Sequence, residues 1–531
     1  MRNLRNSMLM LVFVLTILIT GCSTDSSNSN DDTGDNESSG QEAGGTLNIG
    51  LDAQPPTLDL PTSGTIATRD VARVMFETLL TTDANNQAVP MLAESVDTTD
   101  NQTYTFKLRQ GVKFHNDKEM IAEDVIASME RWAGRSSNAG SIFEGATWEA
   151  EDDYTVVLTL AQASALALDS MAATKMGAAI MPKEVIDAIP EDGVDEIEEY
   201  VGTGPYKFVE WKQDQYIKFE RYDDYQAVEA EPDGLSGKKE ALFDEIYFHM
   251  ASDSSTRLTG LQSGDYDFIF GVPYDSYDQL ESDPNLKTYL AVNGVEVLKF
   301  NSVEGLGTNA ELRQVINTGL DINAAMMAAF PSEDLYWLHS GYMDEDLVNW
   351  ASDAGSEYHN INDQEKAKQM LADMDYDGEP FRILTTRDYA HLYNVAVVVH
   401  EQLRGLGINA ELEIYDWPTL VDIANNQPDR WEAHMISYSV TSTPPQFLGL
   451  DQISGGGVHD ERVIDLMSQI ETAPTLEEAK EIWDELQLYS WEELLPIIQF
   501  GSFHSLYGSS DRIEGITTYS GPVFWNAGFV E

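Results

Sequence analysis

From position 46 onward the sequence alternates between short strand patterns and longer helix patterns, and this alternation is what most constrains the fold. Residues 46–51 alternate apolar and polar side chains, and residues 104–108 place three large apolar side chains on one face. Residues 122–132 have helical spacing and an acidic first turn. The same patterns predict strands at 155–160, 242–250, 265–270, 295–301, 382–385 and 408–414, and helices at 68–80, 256–262, 310–320, 362–374, 389–403 and 475–493. This βαβ-like order predicts α/β architecture.

Two helix ends carry sequence signals of their own. Asn362 and Glu365 are spaced as a capping-box pair at the start of the predicted helix 362–374. Gly405 and Gly407 follow the predicted helix 389–403 and are expected to stop it.

The amino-terminal segment predicts export from the cytoplasm. Arg2 and Arg5 precede an apolar run at 8–19, shorter than the roughly 20 residues that span a bilayer. The only cysteine, Cys22, follows Gly21, which resembles a bacterial lipoprotein signal. We therefore expect a signal peptide at 1–21 and lipid attachment at Cys22, with an ordinary signal peptide as the alternative.

Residues 22–45 are polar and acidic with almost no apolar side chain, so a flexible acidic tether is predicted there. If Cys22 carries the lipid, no thiol remains for catalysis, metal binding or a disulfide.

The net charge excludes two classes of partner. The chain of 531 residues has 91 acidic and 31 basic residues, a net charge of −60. Such a field repels nucleic acid and anionic lipid, so the expected membrane association is through the lipid anchor only. With 42% hydrophobic and 10% aromatic residues the chain is still expected to fold. The acidic excess suits a protein facing saline water; an acidic surface with no particular habitat is the alternative.

The sequence contains no strong catalytic or metal-binding motif. The sequence contains no Gly-x-Ser-x-Gly elbow, no Walker A sequence and no His-Glu-x-x-His. Residues 373–378 match the start of an EF-hand loop, but the twelfth position is Leu384, so a solvated turn is favoured. Gly305 and Gly307 are interpreted as a turn, because no acidic ribose partner follows at a suitable distance. We therefore predict no catalytic residue, no metal and no cofactor.

Several segments together resemble the solute-binding proteins of bacterial ABC importers in the dipeptide, oligopeptide and nickel family (family 5). The resemblance covers nearly all of 45–531. It is carried by Phe-Glu-Thr-Leu-Leu at 76–80, the segment 104–115 with 122–125, Gly-Thr-Gly-Pro-Tyr at 202–206, 312–315 with 320–321, and Leu-Arg-Gly-Leu-Gly-Ile at 403–408 with Asp416-Trp417.

The resemblance implies a two-lobed periplasmic-binding-protein-like fold (type II) of the large class, with an enlarged first lobe and a hinge. Lobe I would comprise 46–294 and 503–531, and lobe II 295–502. A solute would be enclosed between the lobes as they close.

By the same resemblance, Arg387 occupies the place of an arginine that pairs with the ligand carboxylate. An aspartate that holds the ligand ammonium in dipeptide-binding members is replaced here by Thr441. This departure puts a free α-amino dipeptide in doubt, unless Asp416 or Asp388 supplies the charge. Trp417 matches a family tryptophan that lines the cleft or packs in lobe II.

Further ligand contacts are expected from lobe I and from the strand before Thr441. Thr62, Ser63 and Thr65 lie in the loop where the family contributes hydroxyl and backbone contacts, and Tyr438 is expected to cover the ligand. Phe143 and Trp525 are aromatic candidates that are better interpreted as core residues.

The sequence therefore predicts an extracytoplasmic solute-binding lipoprotein that is not an enzyme. It would be a monomer on the outer face of the cell membrane, at the cell surface or in the periplasmic space. It would capture short peptides or peptide-like carboxylated solutes for the permease and ATPase subunits of an ABC importer. A nickel chelate, glutathione or an oligosaccharide as solute, a peptide sensor of the same fold and a secreted hydrolase are the alternatives.

Overall fold

The computed structural model describes residues 41–189, 200–453 and 455–530. The predicted signal peptide, Cys22 and the tether up to residue 40 lie outside the described residues. From Gln41 onward the chain forms one compact unit. Within the described part of the chain, no helix combines the length and the apolar character needed to cross a bilayer.

The strands follow one another along the whole described chain. In order they are β1 (Gln41–Glu42), β2 (Thr46–Leu51), β3 (Leu80–Thr82), β4 (Ala88–Pro90), β5 (Ala93–Thr98), β6 (Thr103–Leu108), β7 (Thr147–Asp152), β8 (Thr155–Thr159), β9 (Tyr206–Lys212), β10 (Tyr216–Arg221), β11 (Glu245–Met250), β12 (Phe268–Ile269), β13 (Leu286–Phe300), β14 (Tyr336–Trp337), β15 (Phe381–Thr386), β16 (Ala410–Tyr415), β17 (Ala433–Ser439), β18 (Ile497–Ser510), β19 (Ile513–Glu514), β20 (Thr517–Thr518), β21 (Pro522–Val523) and β22 (Gly528–Val530).

The helices alternate with these strands. In order they are α1 (Ile66–Ala72), α2 (Ala122–Arg135), α3 (Ala167–Met171), α4 (Lys183–Asp187), α5 (Ser254–Ser263), α6 (Tyr277–Glu281), α7 (Ala310–Gly319), α8 (Ile322–Ala329), α9 (Gln364–Asp373), α10 (Ala390–Leu406), α11 (Trp417–Asn426), α12 (Glu461–Glu471) and α13 (Leu476–Tyr489).

One large sheet runs through both predicted lobes, in the order β16-β15-β17-β13-β18-β12-β2-β11-β10-β9, with β14 also paired to β18. The two long strands β13 and β18 are antiparallel to each other at its centre. Gly294 faces Phe503 and Val295 faces Ser502 in their register. The two predicted lobe boundaries, 294/295 and 502/503, therefore lie at adjacent residue pairs of the β13–β18 ladder. The boundaries themselves stay a prediction.

A bulge interrupts this ladder at the crossing. The register shifts between Val292 and Gly294, and the Asn293 side-chain amide donates to Ser505 Oγ at 2.7 Å. A Cβ atom at Gly294 would lie 2.0 Å from the Tyr438 carbonyl oxygen. Only glycine allows β17 to approach β13 so closely at this point.

Parallel strands lie on either side of the central pair. In lobe I, β2 is parallel to β11 and to β12. In lobe II, β15 is parallel to β16 and to β17. Carboxyl ends of parallel strands meet at one edge of a sheet, so each lobe has an edge where loops and helix starts converge.

A second, four-stranded sheet of order β5-β6-β8-β7 belongs to residues 93–159 and enlarges the first lobe. Tyr104, Phe106 and Leu108 of β6 are buried on one face, which confirms the predicted alternation. They share a core cluster with Trp132 of α2.

Several predicted boundaries are wrong. The predicted helix 68–80 ends at Ala72, because Thr78 pairs with Ala179 and β3 follows. Asp363, not Asn362, caps α9, since its carboxylate accepts the Lys366 N–H at 2.9 Å.

Other boundaries differ in extent. The strand predicted at 295–301 begins nine residues earlier, at Leu286, and the one predicted at 265–270 is reduced to β12. Gly405 lies inside α10, whereas Gly407, at a φ of 104°, ends it as expected. β1 lies in the segment predicted as a tether and pairs with β22.

Candidate functional site

Four predicted site residues lie at the carboxyl edge of the lobe II sheet. Arg387 directly follows β15, and Asp416 and Trp417 directly follow β16. Thr441 comes two residues after β17. The three strands are parallel, so residues far apart in sequence meet at the edge where α/β folds bind ligands.

Arg387 presents a guanidinium group that is not paired with an acid. The side chain is exposed, and its Nη2 donates to the Tyr393 hydroxyl at 3.2 Å. The guanidinium carbon lies 4.8 Å from the centre of the Tyr393 ring. No carboxylate among the described residues forms an ion pair with Arg387, so its fork of donors is open to an anionic group.

The two aspartates of this edge hold the start of α11. Asp416 accepts the Thr419 N–H at 3.1 Å and the Thr419 hydroxyl at 2.9 Å. These hydrogen bonds, first the one from the Thr419 side chain, lower the pKa of Asp416. Asp388 accepts the Trp417 N–H at 2.7 Å. Both carboxylates therefore have a structural task at a helix amino terminus.

Trp417 is half-buried and packs against Tyr389, which the sequence patterns did not single out. The two rings meet edge to face with centroids 5.3 Å apart. Tyr389 is 45% exposed. Burial, and then the charges of Asp388 and Asp52, raise the pKa of its hydroxyl.

Asp52 connects this edge to lobe I. It directly follows β2, at the carboxyl edge of the lobe I sheet, and its charge acts on Tyr389 of lobe II. The Asp52 side chain reaches solvent. Burial of its carboxyl group by the surrounding protein raises its pKa, and the nearby Arg257 charge opposes this shift. The two carboxyl edges thus lie within electrostatic range of each other.

The lobe I loop predicted to contact solute is held together by its own hydroxyl groups. Ser63 Oγ lies 3.0 Å from both Thr65 Oγ1 and Thr68 Oγ1. Thr62 donates to the Asp59 backbone oxygen at 3.0 Å, and Thr65 caps α1. Ser63 is buried, whereas Thr65 is exposed, so Thr65 is the most accessible of the three predicted residues.

Tyr438 and Thr441 differ in accessibility. Tyr438 is only 7% exposed and packs edge to face on Phe447 with centroids 5.4 Å apart. Thr441 is half-buried and its hydroxyl lies 3.7 Å from Met343 Sδ. Tyr438 therefore packs within the lobe II core, and Thr441 remains closer to the surface.

The two further aromatic candidates are core residues, as expected. Phe143 is buried and packs edge to face on Trp132 with centroids 4.9 Å apart. Trp525 is buried, with Lys239 Nζ 4.7 Å from its ring centre.

A buried acid at the same edge was missed by the sequence patterns. Glu296 of β13 is fully buried, and its Oε2 lies 3.1 Å from His391 Nδ1. The His391 ring packs on Phe330 and Phe503. A glutamate inside the apolar run 295–298 was the available signal, because a carboxylate in a central strand needs a partner.

These features define an α/β solute-binding protein, with two lobes that share a pair of central strands and with polar side chains collected at the facing sheet edges. The chain belongs to the bacterial extracellular solute-binding proteins of family 5, whose middle-region sequence model matches residues 87–454.

Two relatives match most of the chain. The oligopeptide-binding protein AppA of Bacillus subtilis (strain 168) is 29% identical over 470 residues, covering 83% of this chain and 81% of that protein. The probable peptide ABC transporter periplasmic-binding protein y4tO of Sinorhizobium fredii is 27% identical over 481 residues, covering 86% of this chain and 88% of that protein.

Solved structures agree on the fold. The PBP AgaA from A. tumefacien R10 in complex with agropinic acid has a TM-score of 0.73 at 25% identity, covering 92% of this chain and 99% of its own. AppA from Bacillus subtilis in complex with a nonapeptide has a TM-score of 0.74 at 23% identity, covering 92% and 100%. Proteins with this fold thus hold ligands of different size.

Proposed function

We propose that the protein captures short peptides, or peptide-like solutes that carry a carboxylate, in the cleft between its two lobes. It delivers them to the permease and ATPase subunits of an ABC importer, as a monomer. Membership of the solute-binding family supports the general role. The names of its relatives, an oligopeptide-binding protein and a probable peptide transporter component, support peptides as the solute class.

The unpaired Arg387 is the observation that supports a carboxylate group on the solute. Acidic residues outnumber basic ones by 91 to 31 in this chain, and Arg387 places an exposed guanidinium without an acidic partner among the described residues at the carboxyl edge of the lobe II sheet, where α/β folds bind ligands. A guanidinium fork binds a carboxylate through two parallel hydrogen bonds. Trp417 and Tyr389 next to it offer apolar surface for a ligand side chain.

Capture requires no covalent chemistry. Closing the lobes removes water from the ligand and strengthens its polar contacts. The ligand stabilises the closed state only to the extent that it binds the closed state more tightly than the open state. We therefore assign a binding role without enzymatic activity.

The proposal is tested first by identifying the solute. Mass spectrometry of material released from the gently denatured protein should yield short peptides or related carboxylates. Glutathione would narrow the class, because it is itself a carboxylated peptide. An oligosaccharide or a nickel chelate as the only bound species would replace the proposed solute.

The role of Arg387 is tested with the solute so identified. In Arg387→Ala, calorimetry should show binding weakened by roughly 2–4 kcal/mol, about 30-fold or more, because a charged hydrogen-bonded pair is lost. Arg404→Ala is a matched control, since Arg404 is an exposed arginine at the far end of α10. Equal affinity in both variants would remove Arg387 from the site.

We also propose that Cys22 carries a lipid that holds the protein on the outer face of the membrane, at the cell surface or in the periplasmic space. Cys22→Ser should appear in the soluble fraction and lose labelling by a radioactive fatty acid. Continued labelling would contradict this assignment. Permease genes beside the gene for this protein would favour import over a peptide-sensing role.

A further inference from the structure

A small cavity inside lobe I is lined by three cationic side chains. Its volume is about 50 Å³, and the side chains around it come from α1, from the segment that follows it, from 172–177, and from Leu235, Lys239 and Trp525. All described lining residues belong to the predicted lobe I. The space therefore lies within one lobe and not between the two.

Positive charge exceeds negative charge around this cavity. Arg69, Arg73 and Lys239 line it, with exposed fractions of 9%, 7% and 5%. Two buried carboxylates oppose them: Asp70 lies 2.7 Å from Arg69 Nε, and Glu77 lies 3.0 Å from Lys239 Nζ. Three buried cations thus share two acids, in a protein whose net charge is −60.

A fourth cation stands close by. Lys175 lies in the segment between the lining residues Thr174 and Gly177. Burial, and then the charge of Arg69, lower the pKa of Lys175 to about 8. The ammonium group therefore stays largely charged at neutral pH and adds to the unbalanced positive charge.

Hydrogen-bond donors remain unused at the cavity. The Nη1 and Nη2 groups of Arg73 donate hydrogen bonds to backbone oxygens, including those of Tyr519 and Ser520. The buried Nε of Arg73 has no acceptor among the described residues. Arg69 forms a hydrogen bond through Nε, and its two Nη atoms have no acceptor within the described chain. A buried donor such as Arg73 Nε is costly unless it is satisfied, and the neighbouring Asp70 Oδ2 is buried without a donor among the described residues.

We propose that this cavity binds a small inorganic anion, either a halide or an oxyanion no larger than sulfate. Such an anion would accept hydrogen bonds from the free donors of Arg69 and Arg73 and balance the excess charge. Its size fits, because each water molecule needs roughly 10–15 Å³ of such space and the cavity has about 50 Å³. The apolar walls formed by Leu60, Phe76 and Trp525 strengthen the attraction by excluding water.

The anion would be a part of the folded lobe and not the transported solute. The cavity is too small for a peptide, and no described residue of lobe II reaches it. This assignment stands independently of the proposed function, since an anion can occupy lobe I whatever solute the cleft binds.

Diffraction from crystals of the unaltered protein soaked in sodium bromide locates the anion directly. The expected result is an anomalous bromide peak inside the cavity, within hydrogen-bond distance of the Arg69 and Arg73 guanidinium groups. A cavity without bromide, in crystals that show bromide elsewhere on the surface, would overturn the proposal.

Thermal unfolding gives an independent test in solution. At constant ionic strength, replacing sodium gluconate, whose anion is too large for the cavity, with sodium chloride should raise the Tm in a saturable way. Constant ionic strength is needed because salt alone stabilises such an acidic protein by screening. Identical Tm values in the two salts would contradict the proposal.

Three variants assign the effect to this cavity. Arg69→Gln should weaken the apparent chloride affinity at least tenfold, whereas Arg69→Lys, which keeps the charge, should retain most of it. Arg313→Gln is the control, because Arg313 is another buried arginine, in lobe II, and its loss should leave the chloride response unchanged. If Arg69→Gln does not fold, the bromide experiment on the unaltered protein decides.

Discussion

One arginine lies near the carboxyl edge of each lobe, Arg257 in α5 of lobe I and Arg387 directly after β15 of lobe II, and the two are used in opposite ways. Arg257 of lobe I is 4% exposed and donates to four backbone oxygens, those of Ala251, Ser252, Phe270 and Gly271, at 2.6–2.9 Å. These oxygens follow β11 and β12. Arg387 of lobe II follows β15, is exposed, and has the Tyr393 hydroxyl as its partner.

The difference shows how to distinguish an arginine that stabilises the fold from an arginine that is available to a ligand at the carboxyl edge of a sheet. Arg257 satisfies carbonyl groups that follow two strands, so its donors are committed to the fold. Arg387 keeps its donors free, and a ligand carboxylate can use them without breaking any bond that the fold needs.

The largest effect is expected from Arg257→Ala. Four carbonyl oxygens lose their donor and Asp52 loses a compensating charge, so the free energy of unfolding should fall by roughly 3–5 kcal/mol. Denaturant unfolding followed by circular dichroism measures this. Arg257→Lys should lose less, because an ammonium keeps the charge but reaches fewer of the four oxygens. A loss below about 1 kcal/mol in Arg257→Ala would break the contrast with Arg387.

His434 provides a contrasting case, because it is a buried base without a hydrogen-bond partner among the described residues. His434 of β17 is 3% exposed, and neither ring nitrogen has a hydrogen-bond partner among the described residues. Burial, and then the Lys299 charge, lower the pKa of His434 to about 3. Arg257 donates hydrogen bonds to four backbone carbonyl oxygens, whereas His434 has no acceptor among the described residues and stays neutral.

This neutrality predicts a pH dependence of stability. Between the unfolded pKa near 6.5 and the folded value, the unfolded chain binds a proton that the folded chain does not. The free energy of unfolding should therefore fall with decreasing pH, by about 1.4 kcal/mol per unit for this residue. Comparing the slope between pH 6.5 and 4.5 with that of His434→Leu isolates the effect, and equal slopes would contradict it.

A smaller effect is expected at Asp416, where a cap and a ligand contact compete as explanations. Asp416→Ala should cost about 1 kcal/mol of stability because α11 loses its cap. Asp416→Asn keeps the cap and should leave stability nearly unchanged. If Asp416 also supplies a charge to the ligand, calorimetry of Asp416→Asn should still show weaker binding; unchanged binding would leave the cap as its sole role.

The smallest change in stability is expected for Arg387→Ala, although its effect on binding is large. The side chain is exposed and supports no buried group, so the free energy of unfolding should change by no more than about 0.5 kcal/mol. A loss above 2 kcal/mol would mean that Arg387, like Arg257, is part of the scaffold.

Local patterns were sufficient to predict some of the elements in which one face is buried. The alternation of Tyr104, Phe106 and Leu108 predicted β6 correctly, and the glycine at 407 marked the end of α10. The helix predicted at 68–80 failed beyond Ala72, since Val74, Met75 and Leu79 are buried in either conformation and their spacing does not distinguish them. Pairing of Thr78 with Ala179, 101 residues away, decides the conformation there.

The same limit applies to the central strands and to the site. β18 was not predicted, because Gly501, Gly508 and several polar residues interrupt its apolar pattern and its partners lie far away in sequence. Arg387 and Trp417 were assigned to the site by the resemblance to the solute-binding family, and each lies just beyond a strand. Tyr389, Asp52 and the Glu296–His391 pair could not be assigned, because their proximity arises only when two lobes and several strands have assembled.

The crossing between the lobes has a consequence for how tightly a ligand can be held. Two strands bonded to each other, β13 and β18, pass from one lobe to the other, with a bulge at Asn293. A bonded pair can bend and twist but cannot swing freely, so few conformations are lost when the lobes come together. Less of the contact free energy is then consumed in ordering the protein, and more of it remains as affinity for the solute.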